Sequence, residues 1–197
     1  MSVVIIAYPP SAGGNHLKNI LLMDHSWENS YELNLDPYNR GDREVHSTPG
    51  RNMQEYKLQN AKGSVKDYLL HGHFGELTPY RDQINSIEDK KFILITIDTE
   101  RDKYLLNRRQ HKLGQQSHPY YLYEEQEYLY QPQFYQIYFT ANIENVYTIS
   151  LNEFWHPNLN QYGIVNRLNS FLNKSVDAEE AQVLHRHWHI NNHIDFY

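Results

Sequence analysis

Apolar runs and polar stretches alternate along this chain in a regular order. Val3-Val4-Ile5-Ile6-Ala7 is a continuous, β-branched apolar run, the pattern of a strand covered on both faces, as in a parallel sheet. Pro9-Pro10 stops it. Ser11-Ala12-Gly13-Gly14-Asn15 is turn chemistry, and helical spacing follows in Leu17, Ile20 and Leu21. The alternation in Tyr31-Glu32-Leu33-Asn34-Leu35 predicts a second strand. Residues from about Asp36 to Gly63 read as loop with one short helix around Met53 to Leu58. Tyr68 to His73 predicts a strand, and Phe92-Ile93-Leu94-Ile95-Thr96-Ile97 predicts another. A helix follows through about His111, with Asp98 or Thr99 as N-cap and acidic Glu100 and Asp102 in its first turn. Val146 to Leu151 reads as a buried strand. Tyr162 to Leu172 has helical spacing, and Asp177-Ala178-Glu179-Glu180 starts a last helix that runs to about Asn191.

Strands followed by helices in this order predict an α/β fold, a mostly parallel sheet with helices on both faces. The chain of 197 residues suits a single domain over 1–197. Gln110 to Ile143 gives no clean period and reads as an insertion or lid.

Composition narrows the function classes. With no cysteine, disulfides, zinc ribbons and thiol catalysis are excluded. The longest apolar runs fall well short of the roughly 18 residues of a membrane span, and the N-terminus lacks the basic segment of a signal peptide. A cytoplasmic protein is expected, with a virion component as the alternative. A formal charge of −6 disfavours a nucleic-acid coat. Tyrosine stands out: 17, against 7 Phe and 3 Trp, which suits half-wet surfaces and interfaces.

The candidate chemistry starts at the first loop. A strand, then Ser11, Ala12, Gly13, Gly14, Asn15 and His16, then a helix, gathers free N–H groups at a helix N-terminus, where anions bind. The Walker pattern is absent, since Lys18 falls a turn into the helix, and the dinucleotide G-x-G-x-x-G is absent too. His71 and His73, two apart on a strand, are candidate general bases, with His73 favoured. The C-terminal histidines His185, His189 and His193 lie at i, i+4, i+8. Such spacing can ligate a metal, but the H-E-x-x-H string is missing and stacking or exposed side chains are the simpler reading, so no metal is expected. Trp155 follows a strand and either stacks on a base or caps the core. The stretch from Pro119 to Tyr135 reads as an acceptor-side wall, a protein-contact surface or the core face of a helix.

Tyr8-Pro9-Pro10-Ser11-Ala12-Gly13-Gly14 resembles the first loop of the sulfotransferases, Y-P-K-S-G-T-T, which holds the 5′-phosphosulfate of the donor PAPS. Leu70-His71-Gly72-His73-Phe74 is similar to the family's strand-end histidine segment. Phe92 to Asp102 resembles its strand, R-x-P-x-D turn and helix, while Tyr147 to Leu151 and Leu168 to Leu172 resemble its late strand and helix. The resemblance implies a sulfotransferase-like P-loop architecture and transfer of a sulfuryl group from PAPS to a small-molecule or glycan hydroxyl. His73 or His71 would be the base and residues 11–16 the donor loop. Two departures matter: Pro10 stands where the family has its loop lysine, and Asp98 where it has the arginine of the donor 3′-phosphate. A carboxylate there repels a phosphate by several kcal/mol in a partly buried site. Arg101 and Arg108, with Arg109 and Lys112 nearby, are the candidate replacements. The alternative is a protein that kept this fold without the chemistry, a binding or assembly component such as that of a phage particle, its partners docking through residues 119–135.

Overall fold

The structure is a computed structural model and describes residues 2–33, 55–112 and 127–192. Its centre is a parallel sheet of four strands: β1 (Val3–Ala7), β2 (Tyr68–Gly72), β3 (Lys90–Thr96) and β4 (Val146–Ser150), in the order β2-β1-β3-β4. The register sets Ala7 against Gly72 on one side and against Leu94 on the other, so the strand ends are nearly level. The helices are α1 (Gly14–Leu22), α2 (Glu55–Gly63), α3 (Phe74–Leu77), α4 (Arg81–Asn85), α5 (Glu100–Lys112), α6 (Pro132–Tyr138), α7 (Leu151–Phe154), α8 (Ile164–Leu172) and α9 (Ala178–Asn191).

Strand periodicity divides the core in two. Val3, Ile5, Ala7, Phe92 and Leu94 face a layer holding Leu58 and Ala61 of α2, Ile84 of α4, and Tyr135 of α6 with the adjoining Phe139. Val4, Ile6, Ile93 and Ile95 face Leu17, Ile20 and Leu21 of α1, Leu105 and Leu106 of α5, Leu168 of α8 and Ala181 of α9. Every residue of β1 is buried, because helices cover both faces. Each large side chain so covered contributes about 1.5–3 kcal/mol.

The second strand expected at Tyr31 to Leu35 does not form in its described part. Ser30–Glu32 is a 3₁₀ turn, with Glu32 N donating to Asn29 O and Leu33 N to Ser30 O. A five-residue alternation is too short to compete with local turn bonds. Asn29 instead serves the sheet edge: its amide donates to Leu69 O at 2.8 Å and accepts from Leu69 N at 3.1 Å, as a strand partner would. The helix expected at Met53 to Leu58 is α2, which runs on to Gly63, while Met53 lies outside the described residues. In the stretch expected as an insertion, lid or contact surface, residues 113–126 lie outside the described residues, but α6 belongs to the core. Tyr130 is 2% and Tyr135 0% exposed, so neither side chain is offered to a partner. Among the described residues of this stretch, Tyr130, Tyr135 and Phe139 are core side chains.

Candidate functional site

From β1 the chain proceeds to β2 on one side, and from β3 to β4 on the other. The connections therefore diverge between β1 and β3, and ligands in open parallel sheets sit outside the carboxyl ends of the strands at such a switch point. The residues there are the loop after β1, the α5 start after β3 and, one strand over, the α3 start after β2.

The loop turns through two left-handed residues, Ser11 at φ 70° and Gly13 at φ 90°. A left-handed Gly13 precedes helical Gly14 at the positive end of α1, and within the loop Ala12 N donates to Pro9 O at 3.0 Å and His16 N to Gly13 O at 2.9 Å. Ser11 holds its left-handed conformation at a cost on the order of 1–3 kcal/mol. Both glycines also have packing reasons. A Cβ on Gly13 would lie 2.8 Å from Trp188 and 3.2 Å from Phe154, and one on Gly14 would lie 1.9 Å from the Tyr8 ring. The Cβ side of the loop is thus filled with aromatic rings. Ala12, Gly14 and His16 are buried, while Ser11, Gly13 and Asn15 keep partial exposure.

The two histidines of the β2 segment converge on Tyr8. His71 Nδ1 is 3.0 Å from Tyr8 Oη, and His73 Nδ1 is 3.1 Å from the Tyr8 carbonyl oxygen. His73 stands just beyond the strand as the N-cap of α3, where its N–H donates to Glu76 Oε2 at 2.9 Å. His71 is buried and His73 half-buried.

After β3, Thr99 rather than Asp98 caps α5. Thr99 Oγ1 accepts from Asp102 N at 3.1 Å, and Asp102 Oδ2 accepts from Thr99 N at 2.9 Å, a reciprocal capping box. Fully buried Asp102 also accepts from Asp98 N and, through Oδ1, from Asn152 N at 2.6 Å, tying α5 to α7. Asp98 is exposed and accepts from Thr96 Oγ1 at 2.6 Å. Arg101 donates to Asn152 Oδ1 at 3.0 Å, outside the loop. Arg108 is half-buried on the same helix. The α5 cation that packs toward the loop is Arg109. It is 7% exposed, its guanidinium stands 5.4 Å from the rings of both Trp155 and Trp188, and Nη2 donates to Asn192 Oδ1 at 3.4 Å. Its neighbour Gln110 donates to Pro10 O at 3.5 Å. Arg109 follows Asp102, Leu105 and Leu106 at i+7, i+4 and i+3, so it lies on the buried stripe of α5. A charge on the apolar stripe was the signal in the sequence.

Trp155 caps the core instead of standing open to a base: it is 1% exposed and its Nε1 donates to Ala12 O at 2.9 Å. Of the C-terminal histidines, His185 and His189 are stacking side chains on α9, their ring centroids 4.7 Å apart. His185 is fully buried, its Nε2–H donates to His156 O at 3.0 Å, and its Nδ1 accepts from His16 Nε2–H at 3.1 Å. The carbonyl accepts only, which settles both tautomers. Trp188 lies flat on His16, ring centroids 4.3 Å apart. Burial, aided by His185, His189 and Arg109, holds His16 well below the ordinary imidazole value. Burial with His189 pushes His185 down to about 3, and burial with Arg109 pushes His189 down to about 4. All three are neutral at pH 7. Both nitrogens of His185 are engaged, so the metal alternative loses one of its three ligands, and His193 lies outside the described residues. Among the described residues no group of three or more His, Asp or Glu side chains is arranged to hold a metal ion. No described helix is long and apolar enough to cross a membrane.

No protein-family model matches the chain, and no curated protein or solved structure matches it either.

Proposed function

We propose that this chain is a sulfotransferase-like group-transfer protein whose loop from Ser11 to His16 takes the phosphosulfate end of PAPS, with His73 receiving the proton of a hydroxyl acceptor. The observation that carries this reading is the left-handed Gly13 turn into α1 at the switch point of a parallel sheet, with a strand-end histidine bonded to the same loop. The donor supplies an activated sulfuryl group; loop amides would stabilise the charge that develops as it moves. The backbone fits an anion better than the side chains do. Pro10 and Asp98 offer no cation, and Arg109, packed on the ring that covers Gly13, is the α5 cation that would take their place.

The rings filling the Cβ side of Gly13 and Gly14 favour a second reading, a binding or assembly component that keeps the fold without the reaction. Calorimetric titration with PAPS and adenosine 3′,5′-bisphosphate separates the two. Binding is expected to weaken at least about tenfold in Asn15→Asp, because the new charge stands in the first turn of α1 beside the proposed anion site. The same charge in the first turn of α1 stabilises the helix by about 0.3–1 kcal/mol, so lost binding there is not lost folding. Absence of any binding at millimolar nucleotide removes the transfer reading, and a defined native oligomer or captured partner would then support the second.

A further inference from the structure

We propose that α9 is an acid-released latch on the first loop: its second half, seated by neutral histidines, holds Trp188 against Gly13, and protonation of those histidines frees that half while the sheet stays folded. This latch governs access to the loop, whatever the loop binds.

The inward stripe of α9 is mostly polar. Its buried side chains are Ala181, Gln182 and His185, and one turn further on Trp188 and His189 take the same face half-buried. Val183 and Ile190 are 52% and 69% exposed. Such a helix docks through specific bonds more than through apolar area, and elements with little buried apolar surface open locally before the whole chain unfolds. Its two halves are tied differently. In the first half, Gln182 accepts from Leu159 N at 2.6 Å and donates to Pro157 O at 3.0 Å, and Ala178 O accepts from Asn160 Nδ2 at 3.3 Å. None of these groups titrates. In the second half, His185 bridges His16 and the His156 carbonyl, and Trp188 lies on His16 and closes on Gly13.

The second set of ties depends on charge. His185 gives its Nε2–H to the His156 carbonyl and accepts at Nδ1, 3.1 Å from His16 Nε2. A further proton on His185 must go to Nδ1, where it sets donor against donor. Moving the His16 hydrogen to its other nitrogen would restore the bond but leave the charge buried. His189 Nε2 is buried with no hydrogen-bond partner, so a proton there gains no acceptor. The groups that face this cluster add to the cost. His16 comes from α1, Arg109 from α5, His156 from the segment after α7, and His185 and His189 from α9 itself; each is a cation or becomes one on protonation. Arg109 also holds α9 without titrating, through Asn192 Oδ1 at 3.4 Å and its place 5.4 Å from the Trp188 ring, both long contacts. Burial keeps His16, His185 and His189 below the ordinary 6.5 in the closed state, and release returns them toward it. The closed state is therefore fully favoured above pH 6.5 and loses ground as the pH falls toward about 4 and about 3.

Hydrogen exchange of the unaltered chain, with rates corrected for the intrinsic pH dependence of the chemistry, tests this without any ligand. Amides from Trp188 to Asn192 are expected to exchange through an opening at least about tenfold more frequent than the one that exposes β1 and β3. Between pH 6.5 and 5 that opening becomes more frequent by on the order of a hundredfold, as two histidines taking up protons require. His185→Gln can make both bonds, its amide N–H to the His156 carbonyl and its amide oxygen to His16, but takes up no proton, so the change shrinks by about tenfold. Three results overturn the latch. One is a common opening for α9, β1 and β3, which means release only by unfolding of the whole chain. The others are an α9 opening that does not change with pH, and an unchanged pH dependence in folded His185→Gln. Should His185→Gln not fold, the two measurements on the unaltered chain decide.

Discussion

At Gly14 the start of the first helix meets the aromatic ring that follows the first strand. A methyl group there has nowhere to go: its Cβ would sit 1.9 Å from Tyr8 Cδ1, a ring held by His71 and His73. Gly14→Ala is expected to cost about 3 kcal/mol or more, the upper end for overpacking. Gly63, at the end of α2, has nothing within 4 Å of its Cβ position. Gly63→Ala is the control, neutral or stabilising by about 0.4–1 kcal/mol. Urea unfolding of both variants checks the contrast; equal stabilities would mean that the ring yields. The same geometry makes Gly14→Asp a poor probe of anion binding, because it would unseat Tyr8 before it repelled anything. The two glycines were readable in the sequence as a turn that lets a ligand approach. Their packing partners were not, since Trp188 is 175 positions away from Gly13 and only the folded chain joins them.

Among the elements, caps were the most readable feature. Asp177 caps α9 by accepting from Glu179 N and Glu180 N, as the string Asp-Ala-Glu-Glu implies. For α5, two candidate caps were open and the reciprocal bond from Asp102 favours Thr99. The edge of β2 is a different case. Asn29 is fully buried and satisfies both main-chain groups of Leu69. Asn29→Ala is expected to cost roughly 2–4 kcal/mol, because two buried backbone groups lose their partners. Hydrogen exchange at Leu69 should accelerate in step with it; a protected Leu69 amide in the variant would show that another group covers the edge. A lone asparagine after a helix carries no pattern, so this role is invisible without the sheet. The alternation at Tyr31 to Leu35 misled for the matching reason: the bonds that decide between strand and turn were supplied by Asn29 and Trp27, outside the five residues.

Across the whole molecule, the histidine group joins α1 to α9 and makes stability depend on pH. His16, His185 and His189 all have folded values below the ordinary 6.5. The unfolded chain therefore takes up protons first as the pH falls, and the folded state loses ground. Stability is complete above pH 6.5 and declines from there toward about 4 and about 3, where His189 and His185 finally titrate. The slope reaches at most about 1.4 kcal/mol per pH unit for each histidine. Asp24, Glu32 and Asp67 are also lowered and add to the loss in more acid solution, below their ordinary 3.8 and 4.5. Urea midpoints between pH 4 and 6.5 are expected to fall steadily, and less steeply in His185→Gln. A flat profile over that window would show that the histidines are not buried neutral in solution.

The sequence by itself determined the class of this fold. The continuous β-branched run Val3 to Ile6 reads as a strand covered on both faces, and strands alternating with helices favour parallel neighbours, so the α/β sheet and its first loop were legible in local pattern, although β4 is buried only at Ile149. It also named the loop and the two strand-end histidines, because glycine turns and short-range spacing are local facts. Tertiary structure alone decided which of those groups meet. That Tyr8 reaches both histidines, that Arg109 and not Arg101 packs toward the loop, and that Trp188 covers Gly13 all depend on strand order and on two helices far apart in the chain. Burial and partner geometry are properties of those long-range contacts, and no window of sequence contains them.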